Sequence, residues 1–254
     1  MRFIRSIATA TVLPVLLVAA WWFTSLGSDD FFWPPLRDIL TEVPSTWFEG
    51  RLGADVAPSL LRLSAGYSLA LAIGISAGLA IGLSAPLRQY CEPVFEFLRS
   101  IPPPVLVPII MLFAGIGDSM KIVVIAFGCV WPILLNSVEG ARSIDEVLHD
   151  TARVYGLGPA ARFRHLLLRG ASPHIVTGAR QALSIAIILV VISEMFAASN
   201  GLGFTIVQFQ RSFAIPQMWS GILLLGAIGV ILALVFKLVE NRVLAWYFGL
   251  RRKQ

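Results

Sequence analysis

The sequence predicts an all-α, polytopic membrane protein with six transmembrane helices. Three observations lead there. Apolar residues make up 57% of the 254 residues and charged residues 14%, with a mean hydropathy of +0.79, whereas a soluble domain carries about 25% charged residues. Six stretches are apolar over the roughly 20 residues that a helix rising 1.5 Å per residue needs to cross the hydrocarbon core. Lys and Arg are spread unevenly over the segments between those stretches, as topology signals are. The net charge of +5 does not point to nucleic acid, because the basic residues flank apolar spans. Cys91 and Cys129, at the edge and inside of spans, read as small apolar filler and not as a disulfide.

The first span covers about residues 7–27. Arg2 and Arg5 before an apolar run resemble a signal peptide, but the run is long and ends in Trp21, Trp22 and Phe23, an interfacial aromatic belt, so an uncleaved helix is expected. Residues 28–58 form an outer segment rich in acids, aromatics and prolines, read as an interfacial amphipathic element. In the second span, residues 59–85, Gly74, Gly78 and Gly82 recur every four residues, and Gly66 lies two turns earlier. They place small residues on one face, where another helix can approach closely. The third span, 93–117, holds Pro102, Pro103, Pro104 and Pro108. Each removes a backbone donor, so this is a broken helix of the kind that lines a pathway or bends. The remaining spans are 119–137, 173–198 and 218–247.

With both termini in the cytoplasm, the inner segments hold Arg2, Arg5, Arg88, Arg142, Arg153, Arg162, Arg164, Arg169, Lys237, Arg242, Arg251, Arg252 and Lys253, 13 of the 20 basic residues. The outer segments hold Arg37, Arg51, Lys121 and Arg211, and Arg62, Arg99 and Arg180 fall within spans. The bias places both termini inside, on the cytoplasmic face.

Ionisable residues in spans are functional candidates because they are costly there. Arg62 and Arg180 lie near span ends, within reach of the interface by snorkelling. Glu96 and Arg99, three apart, pair with each other. Glu194 in "VISEMFAASNGLGF" has no partner in its own helix and is a candidate for the outer gate or a helix interface. No G-x-x-x-x-G-K-[ST] loop occurs, so no P-loop binds ATP in this chain. His149, His165 and His174 lack companions at metal-ligand spacing, and no nucleophile–base pair is visible. The chain is read as a non-enzyme without a cofactor of its own.

Residues 138–172 form a cytoplasmic segment containing "DTARVYGLGPAARFRHLLLRG". Asp150 suits the start of a short helix, Ala152 and Gly156 present a small face four apart, and Pro159 starts a second helix in its first turn. From these residues alone the segment is either an amphipathic loop on lipid headgroups or a docking element.

At this point the chain resembles the permease subunits of bacterial ATP-binding-cassette importers of the nitrate/sulfonate/taurine group. "DTARVYG" is similar to their "EAA" loop, with Asp150 in place of Glu, Thr151 in place of the first Ala, Ala152 and Gly156 kept, and Arg169 where a Pro would stand. "WPILLNSVEGARSID", "IPPPVLVPIIMLFAGIG", "SEMFAASNGLGF" and "PSLLRLSAGYSLALAIGISAGLAIGLS" match other stretches of that group in order. The resemblance implies a coupling role for Asp150, Thr151, Ala152, Arg153 and Gly156 against a separate cytoplasmic ATPase dimer, which binds ATP and magnesium. It also implies a second permease subunit, an extracytoplasmic solute-binding protein and a small anionic solute. The competing class is a stand-alone secondary transporter or channel, which needs coupling charges at the bilayer midplane.

Overall fold

A computed structural model describes residues 2–196 and 198–251, and among them there is no strand. The helices are α1 (Arg2–Ser25), α2 (Leu36–Val43), α3 (Ala57–Gly82), α4 (Ala85–Ser100), α5 (Pro103–Ala114), α6 (Asp118–Arg142), α7 (Glu146–Val154), the single turn α8 (Pro159–Ala161), α9 (Leu168–Phe196), α10 (Leu202–Arg211), α11 (Ile215–Val243) and α12 (Ala245–Arg251). Wider π-helical turns at Pro44–Phe48 and Leu52–Val56 lead into α3, and one at Arg162–Leu167 leads into α9.

The core is a three-helix unit of α3, α6 and α9. Its centre holds Val124, Ile125, Cys129, Ile133, Ala182 and Ala186 among the buried side chains. The glycine face of α3 makes the α3–α6 seam. A Cβ built on Gly66, Gly74, Gly78 or Gly82 would stand 2.5–2.9 Å from the Cβ of Ile125, Ile133, Ser137 or Ala141. The partner number minus the glycine number is 59 in all four cases, so the two helices run parallel in constant register. α9 runs antiparallel to α6: Gly140 lies against Ala171 and His174, and Gly178 against Pro132 and Asn136. Cys129 Sγ donates to the Ala182 carbonyl at 3.3 Å.

Among the described residues, four helical stretches are long and apolar enough to cross a membrane: Leu52–Gly82, Asp118–Arg142, Pro159–Phe196 and Ile215–Val243. The stretch read as a broken third span, 93–117, holds the second half of α4 and all of α5, two helices bent by 97° at a short break, as in a broken span or a re-entrant loop. Ile101 is extended (ψ 117°), as the residue before a proline is pushed to be. Pro102 is extended in its turn, and Pro103 occupies the first position of α5, where a missing N–H costs nothing. The fifth stretch begins at Pro159 and not near residue 173, because the turn at 162–167 continues into α9.

The outer segment 28–58 packs into the bundle. Trp47 is fully buried, and its Nε1–H donates to Ser220 Oγ at 2.9 Å. α1 is joined through Trp21, whose ring lies 5.6 and 5.5 Å from those of Trp33 and Trp219. The Leu36 N–H also donates to Ser25 Oγ at 3.1 Å. Most other described side chains of α1, and the apolar stretch of α11 around Val230 to Val239, face outward, as suits a hydrocarbon solvent.

The seam yields a prediction. Gly78→Ala forces a methyl to within 2.7 Å of the Leu134 carbonyl oxygen. It should destabilise the purified protein by about 1–3 kcal/mol in detergent unfolding. Gly226→Ala, with open space around it, should change stability by less than about 0.5 kcal/mol.

Candidate functional site

The two ends of the α3–α6–α9 unit differ in chemistry. At one end, the first turns of α3 and α6, the last turns of α9 and the start of α10 enclose a cluster of charges. Arg62 is only 4% exposed. Its Nε–H donates to Asp118 Oδ1 at 2.7 Å and an Nη1–H to Glu194 Oε1 at 2.7 Å. The same guanidinium reaches Asn200 twice, from Nη2 to the side-chain oxygen at 2.6 Å and from Nη1 to the carbonyl at 3.2 Å. The expectation that Arg62 snorkels to the interface is therefore corrected: all three of its nitrogens are engaged by protein acceptors. Lys121, placed by sequence in an outer segment, is likewise buried, with Nζ 3.7 Å from Asp118 Oδ1.

Glu194 is completely buried, and its partners come from other elements. Besides Arg62, Ser59 Oγ lies 2.7 and 2.9 Å from its two oxygens, and the Gly203 N–H donates to Oε2 at 2.9 Å. Two neighbouring donors complete a cap on α10: Gly201 N–H to Asp55 Oδ1 at 3.1 Å and Leu202 N–H to Ser59 Oγ at 2.9 Å. The helix start thus meets carboxylates, which its dipole favours. This explains the glycines of "NGLGF". Gly201 has φ +120°, and a Cβ there would overlap the Glu194 carboxyl, while one on Gly203 would collide with the Val191 carbonyl. Arg51 pairs with Asp55 at 3.4 Å, so Arg51, Arg62 and Lys121 balance Asp55, Asp118 and Glu194. Pairing with an opposite charge is the form in which the buried members, Arg62, Lys121 and Glu194, are tolerated.

At the opposite end lies α7. Asp145 is its N-cap, accepting from the Val147 N–H at 2.9 Å. The short helix is therefore capped five residues before Asp150, which is corrected from a helix-starting position to the middle of α7. Asp150 pairs with Arg153 at 3.1 Å on the surface, Thr151 Oγ1 donates to the Val147 carbonyl, and Ala152 is buried. Gly156 terminates the helix. Its φ is +64°, its N–H bonds the Arg153 carbonyl and the Leu157 N–H bonds the Ala152 carbonyl, both at 3.0 Å. That pair of bonds ends a helix through a left-handed residue, which favours glycine.

Between the two ends, Pro103 and Pro104 line a cavity of about 370 Å³ with Arg99, Trp131, Ile185 and Leu189. Arg99 also pairs with Glu96. Pro102 forms the elbow before α5, and Pro108 lies inside it. Arg180 is paired with Glu240 of α11. Sequence reasoning singled out Glu194 but missed Ser59, Asp118 and Asn200 as its companions. A legible signal was present: Arg62 and Glu194 are opposite charges near the same end of the second and fifth spans. Among the described residues no group of His, Cys, Asp and Glu is arranged to hold a metal.

Arg62→Met removes the partner of a buried carboxylate and should destabilise the protein by about 3–5 kcal/mol. Adding Glu194→Gln removes the stranded charge and should restore part of that loss. Thermal unfolding of the purified variants measures both. A single Arg62→Met variant as stable as the parent would remove the structural weight placed on this pair.

Comparison with known proteins agrees with this architecture. The chain is 32% identical to the putative aliphatic sulfonates transport permease protein of Escherichia coli (strain K12), over 92% of this chain and 90% of that one. It is 29% identical to the taurine transport system permease protein of the same organism, over 92% and 88% of the two. A solved inward-facing structure of the MetNI methionine ABC transporter shares the fold, with a TM-score of 0.62 at 22% identity, over 80% of this chain and 97% of that one. Residues 70–245 match the model of binding-protein-dependent transport system inner membrane components. This multi-pass membrane chain belongs to that family of ABC importer permeases.

Proposed function

We propose that two copies of this chain form the membrane pathway of an ATP-driven importer of a small anion of the sulfonate, taurine or nitrate type. A cytoplasmic ATPase dimer would power it with ATP and magnesium, and an extracytoplasmic binding protein would deliver the solute. Both termini and α7 are assigned to the cytoplasm by the excess of Lys and Arg in the segments on that side. The α10 end then faces outward. The sulfonate and taurine transport permeases among the relatives support the solute class.

The observation that carries the reading is the surface of α7. This nine-residue helix turns Ala152 inward and leaves Val147, Leu148, Val154 and Tyr155 outside, the last two 86% and 80% exposed. These residues share one helical face. Large apolar side chains held out on a short, doubly capped helix suit insertion into a groove of a partner protein. The chain after α7 turns at Gly156 and Gly158, then runs helically from Pro159 to Phe196. A displacement of α7 is thereby delivered to α9, whose far end holds Glu194. The α4–α5 elbow, with its cavity against α6 and α9, supplies a wall for the pathway, since irregular backbone at membrane depth is tolerated where it lines a cavity.

Val154→Asp and Tyr155→Asp alter exposed positions and should leave permease yield and thermal stability intact. Each should weaken co-purification of the ATPase by an interface contribution of about 2 kcal/mol and lower ATP-dependent uptake in proteoliposomes. Unchanged co-purification and uptake in both variants would rule out this face as the dock.

A further inference from the structure

A second cavity, of about 340 Å³, lies in the angle between the last turn of α9 and α10. α10 gives it one face: Phe204, Val207, Gln208 and Arg211 fall at i, i+3, i+4 and i+7. The opposite face of α10, with Leu202 and Phe209, packs beside Trp47 and the first half of α11. From α9, Met195 and Phe196 close the angle. One wall is therefore apolar and aromatic, while Arg211 and Gln208 supply hydrogen-bond donors at the rim.

The charge on this rim is uncompensated. Arg211 has no carboxylate partner among the described residues. Three other cations of this end are neutralised, Arg51 by Asp55, Arg62 by Asp118 and Glu194, and Lys121 by Asp118, while Arg37 of α2 lies exposed to solvent away from this cavity's lining. Glu194 is the residue next to Met195, but its carboxylate is buried and engaged by Arg62, Ser59 and the Gly203 N–H. It is not presented to the cavity. The same bonds, with the close approaches at Gly201 and Gly203, hold the angle between α9 and α10, so the cavity is shaped before a ligand arrives. A site formed in advance loses less on binding.

We infer that this cavity binds a small organic anion, its oxyanion head on the Arg211 guanidinium and the Gln208 amide and a short alkyl part against Met195, Phe196, Phe204 and Val207. The planar guanidinium matches an oxyanion in two-pronged fashion. The volume suits a solute of a few heavy atoms beyond the head group. The role assigned to the site, receiving solute from the binding protein on the outer side, rests on the importer reading. The binding itself does not.

The test uses the purified permease–ATPase complex without binding protein and radiolabelled 1-butanesulfonate as probe, by equilibrium dialysis at low ionic strength. Saturable binding is expected, weakened about tenfold or more in Arg211→Gln and partly kept in Arg211→Lys. Phe204→Ala should weaken 1-butanesulfonate and leave methanesulfonate nearly unchanged. Thermal unfolding checks that the variants are folded. No saturable binding by the parent protein, or equal binding by Arg211→Gln, overturns the site. Uptake in proteoliposomes carrying the binding protein separates the two readings. Intact uptake with binding indifferent to Arg211→Gln leaves the importer and discards the site. Arg211-dependent binding without ATP-driven uptake of any sulfonate keeps the site and discards the importer reading.

Discussion

Arg62 has to stay charged in surroundings that solvate charge poorly, and the geometry of the α10 end follows from how that is achieved. A guanidinium has five N–H groups in a fixed plane, so satisfying it demands acceptors from several directions at once. Here they come from α6 through Asp118, from α9 through Glu194 and from the α9–α10 connection through Asn200. Glu194 in turn needs its own donors and draws in Ser59 of α3 and the first turn of α10. One side chain thereby sets the mutual positions of four elements. An apolar residue makes no such demand for partners from several directions, because apolar contacts are non-directional.

The length of the α3–α6 seam is organised by absence of bulk. Along α3 the glycines let α6 approach until backbone and Cβ atoms touch, and the parallel register is the same from Gly66 to Gly82. In a bilayer such close packing is the main source of helix association, since lipid is as apolar as the helix surface. Directional hydrogen bonds at one end and steric fit along the shaft together leave α3, α6 and α9 as a single body. α1, the α4–α5 elbow and most of α11 keep much of their apolar surface outside it.

How much of this was legible in the sequence depends on whether a feature is local. The apolar runs, the glycine period in the second span and the proline break near residue 102 are local patterns, and each has a counterpart in the helices observed. The helix of the cytoplasmic segment was legible too, but its start was misplaced. The Asp145 cap lies outside the stretch that resembles a known loop, and a second acid at Asp150 offered a competing N-terminal signal. The buried cluster was the least legible. Glu194 stood out as a charge in hydrocarbon, yet its partners lie 132 and 135 residues away at Arg62 and Ser59. No periodicity reaches that far. Arg62 was misjudged because a long cationic side chain near a span end is able to snorkel, and only a carboxylate from another element makes the inward rotamer favourable; Lys121, at a span edge, was counted with the outer segments.

The four-residue period of the α3–α6 seam has a mechanical consequence. Each glycine notch receives one residue of α6, and the next notch is four residues along, about 6 Å at 1.5 Å per residue. Between those settings the ridges of α6 would ride over the Cα atoms of α3, so small sliding movements are blocked and only a jump of a whole notch would restore the fit. The seam behaves as a keyed joint. A transport cycle that moves this subunit by a few ångströms would have to carry α3 and α6 together and find its compliance elsewhere, at the elbow before Pro103 where two helices meet at 97° without such a key.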